Sequence, residues 1–394
     1  MAIQTGVGSS KQLDSFLAGK EAAQKALQKM GSKDANLVFV FASVKFDQAQ
    51  VLKGIRSLTG NATLLGCSDA GNITTEGPDR KSVAVMTIKS DTLKWSVGVG
   101  KDIAKDAHAA GMEVAREVLK NYKDGKGKVL VTLPDGLAGN GADIVRGAQE
   151  VFGEGFPLVG GSAGDDFLFQ KTYQYYQDQV LTGMVPGILF GGDIKFGIGV
   201  RHGWKPIGEP HRATRSHGNI LEEIDGAPAV GIYEGYFGKK AEELKAEPLA
   251  RMAIVYPLGI TLPGAAEYLI RDPITVREDG AIICAAEVPQ GSQVTLMIGG
   301  REEAIEAARM AAQQALKECP QPRFALIFNC IARNKVLGEH VGDEIDAIRS
   351  TLGPQVNLLG FYTYGEQAPL TGFIGKNCRS QFCNETMVIL TIGE

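Results

Sequence analysis

The chain has 394 residues, is 44% hydrophobic and 22% charged, and carries a formal net charge of -4. That length exceeds what one hydrophobic core usually serves, so it predicts two domains. The acidic balance argues against nonspecific binding to nucleic acid or anionic membrane, both of which favour a basic surface, and no apolar stretch nears the roughly 20 residues that cross a bilayer.

The first residues, Met1-Ala-Ile-Gln-Thr-Gly, lack the basic-then-apolar order of a secretion signal. The cysteines are scattered, and Cys284 and Cys330 sit inside strand-like runs where a reduced thiol serves as a small apolar side chain. Both features predict a cytoplasmic protein without membrane insertion. An amphipathic helix follows from Ser15 to Met30, with Phe16, Ala23, Leu27 and Met30 at helical spacing. A buried-strand pattern, Leu37-Val-Phe-Val-Phe-Ala, then leads through a helix to Leu64-Leu-Gly-Cys-Ser-Asp-Ala-Gly71. Strand patterns at Val83 to Ile88 and Leu93 to Val99 and a helix at Ala107 to Leu119 precede a second such passage. It runs from Val129-Leu-Val-Thr-Leu to Leu158-Val-Gly-Gly-Ser-Ala-Gly-Asp165. Extended runs come next at Thr172 to Tyr176, Gly187 to Phe190 and Lys195 to Val200.

The charged stretch from Gly238 to Pro248 reads as a linker or connecting helix. It divides the chain into residues 1–237, a connection at 238–249, and residues 250–394. Beyond it, strand patterns at Ile282 to Ala285 and Val294 to Ile298 lead to a helical run, Arg301 to Leu316. The third passage extends from Ala325-Leu-Ile-Phe-Asn-Cys to Leu358-Leu-Gly-Phe-Tyr-Thr-Tyr-Gly-Glu366, and Thr386 to Thr391 closes the chain as a strand. The element order from Val83 to Gly160 thus recurs from Ile282 to Gly360, which points to duplication of a module. The expected fold is α/β, with mixed sheets, repeated strand-helix-strand units and two related domains.

Parallel strands joined by a helix bring the loops after both strands to one sheet edge, where α/β ligand sites form. Ser68 and Asp69 end the second strand of the first passage, and Ser162 and Asp165 that of the second. Gly160-Gly-Ser-Ala-Gly164 matches a G-x-S-x-G nucleophile elbow by letter, but the residues after it read as extended rather than helical. A plain glycine turn is the favoured reading, with a serine acyl hydrolase the lesser alternative. Gly98-Val-Gly100 lacks the third glycine of a dinucleotide fingerprint. Cys378 and Cys383 lack the second pair of ligands that a structural zinc site needs. His202, His211 and His217 crowd one glycine- and proline-rich stretch and are candidate ligands for haem iron, against the alternative of solvent-facing loop histidines. Cys330 and Arg333 end one strand of the third passage, and Tyr364 and Glu366 end its neighbour. A guanidinium, a carboxylate and aromatic walls would suit a small zwitterion or carboxylate. An internal Arg333–Glu366 ion pair explains the same residues equally well.

Several of these stretches occur together in a known family. The first half carries Leu65-Gly-Cys-Ser, Gly160-Gly-Ser-Ala-Gly-Asp, His202-Gly-Trp-Lys-Pro and Asp225-Gly-Ala-Pro-Ala229. The second carries Pro257-Leu-Gly, Cys330-Ile-Ala-Arg333, Gly360-Phe-Tyr-Thr-Tyr-Gly-Glu366 and Asn384-Glu-Thr386. From about Leu37 to Ile392 the chain resembles the FIST family, a paired N- and C-terminal sensory module of bacterial signalling proteins. It departs at Cys383, where the family often has histidine. The resemblance implies a sensor of small ligands, amino-acid-like molecules among them. Stand-alone members resemble haem-binding nitric-oxide sensors that act on histidine kinases and cyclic-di-GMP enzymes. No kinase or cyclase segment follows in this chain, so the expected output runs through a separate partner of one of those kinds. The ligand, the cofactor and any homo-oligomer stay open.

Overall fold

The fold is described from a computed structural model covering residues 3–238, 249–263, 265, 267–370 and 379–394. Three units of one design follow each other along the chain. The first comprises β1 (Gln4–Ser10), α1 (Ser15–Met30), β2 (Leu37–Ser43), α2 (Gln48–Thr59), β3 (Thr63–Asp69), the hairpin β4 (Asn72–Thr74) and β5 (Gly77–Asp79), and β6 (Val83–Lys89). The second repeats it as β7 (Leu93–Gly100), α3 (Ala107–Asn121), β8 (Gly127–Thr132), α4 (Gly141–Phe152), β9 (Leu158–Gly161), the hairpin β10 (Gln174–Tyr176) and β11 (Gln179–Leu181), and β12 (Val185–Gly192).

The third unit opens with β13 (Lys195–Arg201) and is then interrupted by an all-β insertion. The insertion holds β14 (Lys205–His217), β15 (Ile220–Ile224), β16 (Ala227–Pro228), β17 (Leu258–Ile260), β18 (Leu269–Arg271), β19 (Pro273–Val276), β20 (Ile282–Cys284) and β21 (Gln293–Ile298), with short helices at Gly231–Phe237 and Leu249–Ala253. Its sheet runs β18-β17-β21-β14-β15-β20-β19, and β16 adds to β15. The unit resumes with α5 (Arg301–Glu318), β22 (Pro322–Cys330), α6 (Ile331–Leu337), α7 (Val341–Leu352), β23 (Asn357–Thr363), the hairpin β24 (Glu366–Pro369) and β25 (Ser380–Cys383), and β26 (Met387–Gly393).

Each unit builds a sheet and lends its hairpin to another. The three six-stranded orders are β1-β6-β2-β3-β10-β11, β7-β12-β8-β9-β24-β25 and β13-β26-β22-β23-β4-β5. The parallel pairs β2/β3, β8/β9 and β22/β23 are the three passages expected from sequence. All other pairings in these sheets are antiparallel, so the sheets are mixed as expected. The repeat is threefold, however, and starts at β1, β7 and β13. Val83–Lys89 closes a unit instead of opening one, and Ile282–Cys284 belongs to the insertion. Of the connection expected at 238–249, residues 239–248 lie outside the described residues.

The repeat has a packing signature. Gly6 and Gly8 of β1, Gly98 and Gly100 of β7, and Gly197 and Gly199 of β13 lie under the first helix of their units. A Cβ at Gly8, Gly100 or Gly199 would fall 2.4, 1.9 or 1.8 Å from the carbonyl oxygen of Ala22, Ala110 or Ala311. The helices answer with small buried residues, Ala18, Ala22, Ala23 and Ala26 in α1 and Ala304, Ala307, Ala308, Ala311, Ala312 and Ala315 in α5. Backbone therefore meets backbone at these crossings, and Gly98-Val-Gly100 is a packing element rather than a phosphate cradle. Between the sheets, Phe39, Phe190, Phe328 and Phe361 from all three units share one apolar core.

Candidate functional site

The turns that leave β3, β9 and β23 converge, because each hands its hairpin across to the next sheet. They are stitched by backbone hydrogen bonds: Gly164 N–H to Ser68 O, Tyr364 N–H to Ser162 O, and Ala70 N–H to Tyr362 O, at about 3.1 Å each. The expected edge therefore exists, with its polar groups largely spent on one another. Ser68 donates its hydroxyl to Gly164 O at 2.6 Å and accepts from Tyr173 N–H at 2.9 Å. Asp69 accepts from Gly71 N–H at 2.8 Å, and burial pushes its pKa up to about 8. Ser162 is buried between Gly365 and Tyr364, and the next element after it is strand β10 rather than a helix.

Asp165 organises the loop beyond. Its carboxylate accepts from the N–H groups of Phe169, Gln170 and Lys171 at 2.8, 2.6 and 2.9 Å, and from the Tyr364 hydroxyl at 2.5 Å. Burial pushes its pKa up, but these hydrogen bonds outweigh that and hold it below the usual carboxylate range. The loop bends through left-handed backbone at Asp166, Phe167 and Phe169, with φ of 55°, 69° and 54°. For bulky residues this conformation costs on the order of 1–3 kcal/mol each. Phe169 stacks on Tyr364 with ring centroids 4.9 Å apart.

The third-unit residues separate. Arg333 is fully buried, donates Nε to Glu344 Oε1 at 2.9 Å and Nη2 to Ala304 O at 2.7 Å, and gives Nη1 to His202 O. Its ion-pair partner is thus Glu344 of α7 and not Glu366. Glu366 accepts instead from the Thr363 hydroxyl and from Thr386 N–H, and burial raises its pKa to about 8. Cys330 is buried, and burial raises its thiol pKa. Deeper in, Glu385 is fully buried with φ of 55°, and neither of its carboxyl oxygens has a hydrogen-bond partner among the described residues. Burial lifts the Glu385 pKa, the charge of Asp272 in the insertion adds to that shift, and burial brings Asp272 to about 6.

The three histidines do not converge. His202 Nδ1 accepts from Trp204 N–H at 3.0 Å, which places the neutral ring's proton on Nε2. That nitrogen lies 3.0 Å from Glu267 Oε2 without the alignment of a full hydrogen bond. Neither nitrogen offers a lone pair to iron. His211 and His217 lie six residues apart on β14, about 20 Å at strand rise. His211 Nδ1 meets Asp225 Oδ2 at 2.8 Å, leaving Nε2 as the nitrogen that suits a metal, but Glu209, Pro210 and Arg212 around it are exposed. His217 is exposed. Apolar walls of the kind that enclose a haem are not what these neighbours provide.

A cleft of about 860 Å³ lies beside the converged turns. Phe167 walls it from the second unit, Ile254 and Val255 from the insertion, and Gly300, Lys335 and Val336 from the third unit. The Lys335 ammonium stands 4.1 Å over the Phe167 ring, and burial lowers its pKa. Sequence reasoning missed this wall because Phe167-Leu-Phe169 read as one more extended run. The signal was an apolar triplet directly after Asp165-Asp166, in a turn that otherwise holds small and polar residues.

Comparison with known proteins places the chain. An uncharacterized protein of Methanocaldococcus jannaschii is 26% identical over 53% of this chain and 41% of its own length. One of Mycobacterium tuberculosis is 27% identical over 55% of this chain and 57% of its own. The chain therefore spans about half the length of the curated relatives it matches. Among solved structures, a cyanuric acid hydrolase from A. caulinodans aligns over 99% of both chains at 8% identity with a TM-score of 0.34, too slight a likeness to carry an argument. The FIST N domain matches residues 36–227 and the FIST C domain residues 229–369, and with both domains present in order, the chain belongs to the FIST family.

Proposed function

We propose that this chain is a sensor that binds a small ligand in the cleft of Phe167, Val255 and Lys335 and passes its occupancy to a separate signalling enzyme, such as a histidine kinase or a cyclic-di-GMP enzyme. FIST domains are small-ligand sensory domains of signalling proteins. The observation that carries the reading is the cleft's construction, since its walls come from the second unit, the insertion and the third unit. A ligand touching all three binds some of their arrangements better than others, and so shifts the populations. Lys335 supplies a cation for a carboxylate or phosphate, and the apolar walls supply area. Ser68, Asp69, Ser162, Asp165, Tyr364, Glu366, Arg333 and Cys330 do not line this cleft, and of the second unit's loop only Phe167 does.

A thermal-shift screen of metabolites tests this reading, with Val336→Trp as the control that fills the cleft. At a ligand concentration of 100 Kd the stabilisation is about 2.7 kcal/mol. A metabolite that stabilises the native chain and not the filled variant supports the site. One that stabilises both equally moves the site elsewhere. A second reading, a haem-based nitric-oxide sensor, is favoured by one observation, the Asp225-oriented His211. A Soret band absent from His211→Ala would support it, and a protein that takes up no haem would retire it. Failure of a fluorophosphonate probe to label Ser162 would likewise retire the acyl hydrolase.

A further inference from the structure

The Asp165 loop presents three apolar side chains to solvent on a backbone held in an unfavourable shape. Phe167, Leu168 and Phe169 are 38, 55 and 56% exposed, while most large apolar side chains of the chain are buried. Phe167 and Phe169 meet edge to face with centroids 4.8 Å apart, so the three side chains form one knuckle. Two phenylalanines in left-handed backbone would relax if nothing opposed it. Four hydrogen bonds to Asp165 and the stack on Tyr364 oppose it. Strain kept up by dedicated contacts points to a function for the shape it maintains.

The knuckle is ringed by cations. Lys335 lies over Phe167, and Arg80 joins it there by donating to Asn334 Oδ1. Lys171 follows in the loop, and Lys45 and Lys81 both act on the Asp166 carboxylate. All five are exposed, and among the described residues none forms a salt bridge. Of the carboxylates nearby, Asp165 is spent on the loop's N–H groups and Tyr364, and Asp166 accepts from the Ser43 hydroxyl at 2.6 Å. Glu302 and Glu303 lie on the cleft side of Phe167. In a chain of net charge -4 this is a local reversal of sign.

We propose that the Phe167–Phe169 knuckle and its ring of lysines and Arg80 form the docking surface for an acidic, apolar-anchored helix of a protein partner. The proposal rests on the sensor reading, and names the face through which it signals. Aromatic side chains rigidly presented at the centre of a charged rim have the composition of an interface hot spot. The rim selects an acidic partner and speeds its approach. A lipid surface is less suited, because three apolar side chains, two of them with a ring face already covered by Lys335 or Tyr364, offer too little area to anchor a protein. Stacked nucleobases are less suited too, because Lys335 and Tyr364 already cover a face of Phe167 and of Phe169. Phe167 belongs both to the knuckle and to the cleft wall, so a ligand in the cleft would alter the surface that the partner reads.

The test uses the full chain and a fluorescein-labelled amphipathic peptide of about 18 residues, with leucines at i, i+3, i+4 and i+7 and glutamates elsewhere, beside a twin with lysines for the glutamates. The expected result is that the acidic peptide binds at least about tenfold more tightly than its twin, and less tightly as salt is raised. Leu168→Asp, and separately Lys45→Glu with Lys171→Glu, should each weaken it about tenfold at unchanged Tm. Equal binding of the twins, or indifference to both variants, would overturn the proposal. So would uptake of phosphatidylserine vesicles or an oligothymidylate, or dimerisation of the chain, that is lost in Leu168→Asp while the acidic peptide fails to bind. No small ligand enters the assay, so its failure leaves the cleft reading standing, and an empty metabolite screen leaves the docking result intact.

Discussion

Glu366, Asp69 and Glu385 are buried and Asp272 is partly so, and among the described residues none of the four forms a salt bridge. Burial raises all four, with Glu366 and Asp69 brought to about 8 and Asp272 to about 6. The folded chain therefore keeps protons that the unfolded chain releases near pH 4, so stability falls as pH rises from there toward 8. The loss is on the order of 1 kcal/mol per pH unit for each such group. Tm should be higher at pH 5 than at pH 8. Glu366→Gln removes the ionisable group while its amide still serves Thr363 and Thr386, so its Tm should exceed that of the native chain at pH 9 and match it at pH 5. A native chain most stable at pH 8 would contradict the burial of these acids.

Arg333 shows how far such residues were legible. The sequence placed it at a strand end opposite Glu366 on the neighbouring strand, but Glu366 opens β24 of another sheet, the strand stops at Cys330, and Arg333 sits in α6. Its true partner, Glu344, lies within α7 and belongs to no motif, so only the packing of that helix reveals the pair. Arg333→Ala leaves Glu344 buried without a counter-ion and should lower stability by about 3–5 kcal/mol, read from the urea midpoint.

At the scale of elements, the parallel pairs were legible because buried strands are continuous apolar runs. The amphipathic α1 was legible to its ends, where Asp14 caps Leu17 N–H and Gly31 closes in left-handed backbone. Strand β1 was not, since glycines and serines take the places that apolar residues mark elsewhere. Those glycines answer to a helix, not to the core. Gly100→Ala and Gly199→Ala should each destabilise by about 1–3 kcal/mol or more, because the added methyl meets a helix carbonyl that can move only if the whole helix moves. Gly235→Ala is the matching control. It lies exposed in the helix Gly231–Phe237 with nothing near its Cβ position, and should stabilise by about 0.5–1 kcal/mol. Thermal melts of the three variants separate glycine needed for approach from glycine merely tolerated.

For the whole molecule, the exchange of hairpins decides what can fold alone. The sequence showed three passages, and the similar junctions before the second and third made a twofold duplication look sufficient. Short hairpins such as Asn72–Thr74 with Gly77–Asp79 carry too few residues to announce which sheet they join. Pairing β4 with β23, β10 with β3 and β24 with β9 makes each sheet depend on residues of another unit. The match to the FIST N domain ends at residue 227, inside the insertion. A fragment of residues 1–237 would have β13 without β26, β9 without β24, and the β4–β5 hairpin without β23. Three unpaired edges beside exposed core phenylalanines favour aggregation. That fragment should be insoluble or molten when expressed alone, and should become soluble when residues 238–394 are co-expressed. The intact chain should unfold in one calorimetric transition, with van't Hoff and calorimetric enthalpies in agreement. Two separated transitions, one of them reproduced by the soluble fragment, would show that the exchanged hairpins contribute little and that the halves are independent domains.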